Sequence, residues 1–371
     1  MSIEIAIGSN IRKSPYFAAT LRAGVKCFSV YNHTYIPAHF GDPEAEYRRL
    51  TTGVAIWDVA AQRQVELVGP DAARLAQYLT PRNLDGTRVG QGRYVPLCDH
   101  DGYLINDPVL LKLSEDRFWL SVADSDIHLW AEAVARERGW QVRVFEPDVS
   151  PLALQGPKAV EVTTALFGDW VRDLRYFWFR ETSLDGIPLV LARSGWSKQG
   201  GYELYLTDGS RGNELWEKVM AAGRVHGIGP GAPNDLERLE SGLISYGSDM
   251  RRQVVPADPF EMGLGGLVDL AGSHDFIGRE ALARVAARGP ARRRVGFLLE
   301  GAPAAAGHPV AVTRDGAELG VLSDMAYSRR FERTIGVGLV RSELADDALG
   351  LTAELPSGPH PVRVTALPFR L

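Results

Sequence analysis

The chain has 371 residues, 45% hydrophobic and 23% charged, the composition of an ordinary globular protein with mass enough for two or three domains. Its formal net charge of −5 leaves no basic footprint for nucleic acid or an anionic membrane, so small molecules are the expected partners. No apolar run reaches roughly 18 residues, and the opening Met1-Ser-Ile-Glu-Ile-Ala6 lacks a basic stretch ahead of a long apolar one, so neither a membrane span nor export is predicted and a cytoplasmic location is expected.

In chain order, a helix is predicted over 44–50. Residues 65–68 then read as a strand, Gly69-Pro70 as a turn and 71–79 as a helix entered through proline near its first turn. Residues 152–155, Gly156-Pro157 and 159–166 repeat that layout. The repeat suggests a duplicated strand-turn-helix unit, with the chance recurrence of a common turn as the alternative. Between the copies lies a predicted meander: 92–98, a turn at Asp99–Gly102, a strand over 103–113, a turn at 114–116 and a strand over 117–123, followed by a helix over 126–137. Beyond the second copy, strands over 175–184 and 187–193 flank Asp185-Gly186, a hairpin signal, and 202–206 is a further strand, so 194–201 joins two strands. Helices are predicted over 212–222, 279–287 and 234–246, the last opened by Asn234 and Glu237 in capping-box spacing. The Arg-rich stretch 288–294 reads as a solvated linker, with an anion contact as the alternative. After it, short apolar segments over 295–299, 309–313, 318–323, 334–340 and 362–366 predict a small antiparallel barrel. Strands and helices without a regular βαβ rhythm make the class α+β.

The eight histidines form no HExxH or His-x-His pattern, and Cys27 and Cys98 form no CxxC, so no metal centre and no disulfide are expected. The phosphate-binding patterns GxGxxG and GxxxxGK[ST] are absent, and so is the GxSxG elbow. Three places carry candidate chemistry. Alternation along 103–113 puts Asp107 on the face of Ile105, Val109 and Leu111, where a carboxylate is either satisfied by backbone donors or held ready for a polar ligand. Pro108 removes a ladder donor beside it and suggests an edge or a bulge. In the loop leading to Glu203, Gly200-Gly201 permits close backbone approach, Trp196 looks exposed and offers a π face, and the Glu203 carboxylate can accept two N–H bonds from an aminopyrimidine-like ring. A long hairpin whose Trp caps the core is the alternative. On the predicted helix 234–246, Arg238, Gly242 and Tyr246 share one stripe, and a mid-helix glycine hints at close approach by a ligand or by a neighbouring backbone. Aromatic residues crowd around Tyr176–Phe179, Trp196 and Tyr202, as sheet core or as a box for a cationic substrate.

The segments Trp57-Asp58-Val59, Gln62-Arg63-Gln64-Val65, Asn106-Asp107-Pro108-Val109, Gln155-Gly156-Pro157, SGWSKQGGYE at 194–203, ERLESGLISYG at 237–247 and Asp258-Pro259-Phe260-Glu261 together resemble the folate-dependent glycine cleavage T-protein family. The resemblance runs from about Arg12 to Phe369 and is nearest to the dimethylsulfoniopropionate demethylase branch. It implies a three-domain fold around a central tetrahydrofolate channel. The first domain would be 1–55 plus 151–255, the second 56–150 plus 256–288, and 289–371 a C-terminal β-barrel. It also implies a catalytic role for Asp107 and cofactor-binding roles for Tyr94, Glu203, Arg238 and Tyr246. With the local aromatic content, it makes Trp178, Trp196, Ser197 and Tyr202 candidates for the methyl-donor pocket. Asn106 stands where the family has the first acid of an Asp-Asp pair, and Trp196-Ser-Lys-Gln199 replaces Tyr-Thr-Gly-Glu. Both departures point away from lipoyl-carrier aminomethyl transfer. The implied activity is methyl transfer from dimethylsulfoniopropionate to N-5 of tetrahydrofolate, with demethylation of a methoxyaromatic or methylammonium compound, or a non-catalytic folate-binding role in iron–sulfur assembly, as alternatives. A homodimer is the one assembly considered.

Overall fold

In the computed structural model, which describes residues 8–300, 309–346 and 349–370, the alternating segments build two facing sheets and a barrel. These belong to two units that interleave along the chain. One contains the described residues of Met1–Pro70, Thr87–Arg93 and Val109–Pro233, the other those of Asp71–Gly86, Tyr94–Pro108 and Asn234–Leu371. Among the described residues no helix is long and apolar enough to cross a membrane.

The first unit is organised by a six-stranded sheet in the order Phe179–Leu184, Ile187–Ala192, Gly201–Leu206, Ser150–Gln155, Ala55–Asp58 and Gly229–Gly231. Residues one apart on a strand face opposite sides, and here both sides are buried. Tyr202, Leu204 and Leu206 join Leu152, Leu154, Leu189 and Leu191 in a core that includes Val162, Leu215 and Trp216 of the helices Ala159–Phe167 and Gly212–Gly223. On the other side Val190, Ala192 and Tyr205 pack with Leu111, Leu113 and Trp119 of the second sheet. That sheet has the order Arg143–Phe145, Gln64–Val68, Arg117–Ser121, Val109–Ser114 and Gln91–Tyr94. The hairpin expected at Asp185-Gly186 is present, with φ of +49° and +80° at the two turn residues, the pairing a type I′ turn requires.

The duplicated turn is visible in the backbone. Gly69 and Gly156 have φ of +139° and +121°, and the residues capping the following helices, Asp71 and Lys158, sit at φ/ψ of −98°/10° and −96°/6°. A Cβ on Gly69 would lie 2.5 Å from the Gln141 carbonyl oxygen, and one on Gly156 2.5 Å from that of Gly53. Glycine is therefore required in both copies, by conformation and by contact.

Several segments depart from the sequence expectation, four of them instructively. The strand predicted over 103–113 is broken into Leu104–Asn106 and Val109–Ser114, because Pro108 has no N–H for a ladder and its carbonyl instead accepts from the amide of Val95. The helix predicted to Tyr246 is Asp235–Ser241, capped by the Asn234 side chain as expected but ended by Gly242 at φ +66°. The amide of Leu243 reaches back to the Arg238 carbonyl and that of Gly242 to Leu239, a Schellman termination; Gly242 thus stops the helix instead of thinning its middle. The arginine run belongs to structure rather than to a linker: Arg292–Leu299 is the first strand of the closed barrel, followed in spatial order by Arg333–Arg341, Ala317–Ser328, Val310–Arg314, Leu351–Leu355 and Gly358–Thr365. Arg292 forms a two-pronged pair with Glu261. The strand Leu351–Leu355 was not among the apolar segments, since its five residues Leu-Thr-Ala-Glu-Leu carry little apolar signal, yet Leu351, Ala353 and Leu355 complete the barrel core with Phe297 and Val312.

Gly156→Ala is expected to lower stability by about 2 kcal/mol or more in urea denaturation, through strain and backbone overlap together. Gly86→Ala, at φ +71° with open space around the added methyl, is expected to cost about 1 kcal/mol, the conformational part alone.

Candidate active site

Glu203 lies mid-strand on the face opposite Tyr202, and its cross-strand neighbours are Ala153 and Ala192. Two methyl side chains flank a carboxylate that is only 6% exposed, so its directly paired neighbours are small. Burial raises its carboxyl above the ordinary range, and donors from Ser194 and Tyr205 oppose that rise. Both donors go to one atom: the Ser194 hydroxyl and, at 3.2 Å, the Tyr205 phenol donate to Oε2. Among the described residues this leaves Oε1 as the acceptor without a donor from the chain, with lone pairs for two N–H groups. Tyr176 stands close by, 58% exposed, its phenol pKa raised by burial and then by the charge of Glu203.

The loop before Glu203 is folded around a single amide. Gln155, 1% exposed at the end of its strand, donates from Nε2 to the Ser194 carbonyl at 3.2 Å and accepts at Oε1 from the Ser197 hydroxyl at 2.8 Å. A Cβ on Gly195 or Gly201 would overlap that amide at 2.0 Å and 2.3 Å, which explains the loop's glycines better than ligand approach does. Ser197 is thereby corrected from a donor-pocket residue to a loop fastener, its hydroxyl already engaged. Tyr202 is corrected too. It is 2% exposed in the helix-covered core, with its hydroxyl on the Val171 carbonyl at 3.0 Å, because alternation turns it away from the face of Glu203. Trp196 is half-buried rather than exposed. Trp178, also half-buried, is fixed by its backbone, which bridges to Gln91 and bonds Arg175 and Arg193.

In the second unit the break at Pro108 leaves Asp107 outside any ladder. The Tyr94 hydroxyl donates to its Oδ2 at 2.8 Å. Desolvation pushes the carboxyl up to about 7, further raised by the charge of Asp249, while the Tyr94 hydrogen bond and a backbone donor pull the other way. A group that changes ionisation near neutrality has the form of a general acid or base. Tyr94 and Asp107 are thus joined by a hydrogen bond. Arg238 is not open to a ligand. It is fully buried, with Nη1 on Asp249 Oδ1 at 2.6 Å and Nη2 on Asp324, and Asp249 is also held by Arg294 at 3.0 Å. Arg238 is corrected from a cofactor contact to the centre of a buried ion-pair network. Tyr246, 5% exposed, lies beyond the helix in the turn that bridges to Met250, so it does not share a helical stripe with Arg238. Sequence reasoning passed over Tyr205 and Asp249, and it gave no role to Ser194 within the loop motif or to Arg294 beyond the anion contact weighed for its run. Tyr205 had a signal of its own, two residues from Glu203 on a strand.

Two family models together match most of the chain. The GCVT N-terminal domain covers residues 17–272 and the glycine cleavage T-protein C-terminal barrel domain covers 292–370. The chain belongs to the glycine cleavage T-protein family. It is 40% identical over 354 residues to the dimethylsulfoniopropionate demethylase of Ruegeria pomeroyi, covering 95% of this chain and 96% of that one. It is 31% identical over 329 residues to an aminomethyltransferase of Synechococcus, covering 88% and 89%. The crystal structure of aminomethyltransferase T from Bartonella henselae superposes with a TM-score of 0.82 at 23% identity, over 97% of this chain and 98% of that one, which establishes the shared fold.

Because the Asp107 carboxyl is raised to about 7 in the folded chain, against about 4 when unfolded, the native state binds the extra proton between those values. Its contribution to stability therefore falls as pH rises from about 4 through about 7. Asp107→Asn is expected to flatten that part of the stability–pH curve in urea titrations at pH 5 and pH 8. Asp58, raised to about 6 mainly by burial, keeps a residual slope over the lower part of the window.

Proposed function

We propose that the chain is a tetrahydrofolate-dependent methyltransferase that demethylates dimethylsulfoniopropionate, giving 3-methylthiopropionate and 5-methyltetrahydrofolate. The observation that carries the cofactor is the Glu203 carboxylate: a buried, donor-held anion with one oxygen open, flanked by alanines. An aminopyrimidine edge, with its N–H groups, satisfies such an acceptor. The donor is supported by the 40% identity to the Ruegeria pomeroyi enzyme over nearly the whole chain.

Tetrahydrofolate supplies the nucleophilic amine, N-5. A sulfonium methyl is already electrophilic and its sulfur leaves as a neutral thioether when the C–S electron pair moves to it, so the protein has mainly to hold and align the partners. Glu203 would anchor the pterin through Oε1. Asp107, raised to about 7, would hold or accept a proton at its carboxylate near neutral pH, with Tyr94 fixing its Oδ2. Trp178 and Trp196 are the aromatic candidates for the cationic donor. Arg238 and Tyr246 would act from behind, through the ion pairs and the turn that position Asp249.

Purified protein incubated with tetrahydrofolate and dimethylsulfoniopropionate is expected to form 5-methyltetrahydrofolate, followed by mass spectrometry, and to form none from methoxyaromatic or methylammonium donors. Product from an ether or amine alone would replace the donor, and folate binding with no turnover from any donor would remove the catalytic reading. Glu203→Ala is expected to weaken tetrahydrofolate binding at least about tenfold in calorimetry, as loss of a charged hydrogen bond predicts, with donor binding little changed.

A further inference from the structure

The motif Gln62-Arg63-Gln64-Val65 has no part in the chemistry described so far, yet Gln64 is 2% exposed and begins a chain of hydrogen bonds that ends at Glu203. Its Nε2 donates to the Gln62 carbonyl at 2.7 Å and to the Ser121 hydroxyl oxygen at 3.0 Å. A backbone carbonyl only accepts, so the nitrogen end of the amide is fixed on that side. Ser121 is also a hydrogen-bond partner of the Tyr205 phenol, and because an ionised carboxylate only accepts, the phenol's own proton is committed to Glu203 and its oxygen is the accepting end toward Ser121. Tyr205 in turn has one proton, and it goes to Glu203 Oε2 at 3.2 Å. Ser194, held through its carbonyl by Gln155, supplies the second donor to the same oxygen.

We propose that Gln64, Ser121 and Tyr205 form a directional relay that, together with Ser194, fills both lone pairs of Glu203 Oε2 and so positions Oε1 as the only face Glu203 offers to a ligand. The Glu203 carboxylate, which only accepts, sets the direction of the Tyr205 proton, and such chains strengthen each member bond. The arrangement selects the chemistry of the ligand: an N–H donor is accepted, whereas a carbonyl or carboxylate facing Oε1 meets an acceptor with no proton to share. The four residues are positioning residues, acting through Glu203. Among the described residues the Tyr176 phenol also feels the charge of Glu203. The two donors to Oε2 and the Gln64–Ser121 bond stand on hydrogen-bond geometry; the bearing on folate rests on the function proposed above.

The test separates those two statements. Protein carrying 13C at the glutamate carboxyls, with the Glu203 signal assigned through Glu203→Gln, is titrated by NMR in Tyr205→Phe, Ser194→Ala and Ser194→Thr, and each variant is checked by thermal melt. Loss of either donor is expected to move the Glu203 midpoint upward by about half a unit to one unit, with Ser194→Thr restoring it because the hydroxyl is kept. Tetrahydrofolate affinity is expected to fall about five- to tenfold in the first two variants, with the KM for the methyl donor unchanged. An unmoved Glu203 midpoint in both Tyr205→Phe and Ser194→Ala overturns the relay, whatever happens to folate. A moved midpoint with unaltered folate affinity upholds the relay and removes Glu203 from the cofactor site.

Discussion

A carboxylate placed in the middle of a strand whose sheet is covered on both sides loses its water and must be given donors by the chain itself. Around Glu203 that constraint organises an entire neighbourhood. Its own strand provides Tyr205, the preceding loop provides Ser194, the adjoining strand provides Gln155 to hold that loop, and the facing sheet provides Ser121 and Gln64 behind the phenol. The glycines at 195 and 201 follow from the same demand, since the Gln155 amide occupies the space their side chains would need. What reads as a flexible loop in the amino-acid order is shaped by the need to satisfy one buried anion.

The second unit solves the same problem with ions in place of hydroxyls. Asp249, 2% exposed, receives Arg238 from a helix and Arg294 from a barrel strand, and Arg238 spans on to Asp324 of another barrel strand. Removing one partner of such a set leaves an uncompensated buried charge, which costs far more than the set contributes when complete. The network therefore fixes how the helix Asp235–Ser241 meets the barrel more than it adds to net stability. It also sets a negative charge where Asp107 feels it.

Much of this was legible in the amino-acid order. The Gly-Pro turns, the Asp185-Gly186 hairpin and the barrel after residue 291 all rest on local signals, φ-permissive residues and alternation, and the structure places them where those signals fall. Glu203, Tyr94 and Asp107 were singled out one by one through family resemblance, and the hydrogen bond that joins the last two was not foreseen. What was hidden depended on partners distant in sequence. Arg238 looks like a ligand contact until Asp249 and Asp324 are seen to enclose it. Tyr202 and Ser197 look available until alternation and the Gln155 amide claim them. The helix ending at Gly242 was over-extended because Leu243 and Ile244 continue an apolar rhythm, although a left-handed glycine had already stopped the turn.

The interleaving of the two units bears on how the chain is made. Residues 71–86 and 94–108 emerge early in translation, but the body they join also needs 234–371. Their apolar side chains, Leu75, Leu79 and Leu97 among them and each at most 1% exposed in the finished protein, must wait for more than half of the chain to be synthesised. A nascent molecule halted before the barrel would present those leucines to solvent, which ties the solubility of the early segments to completion of the last strands and makes truncated products natural clients for chaperones.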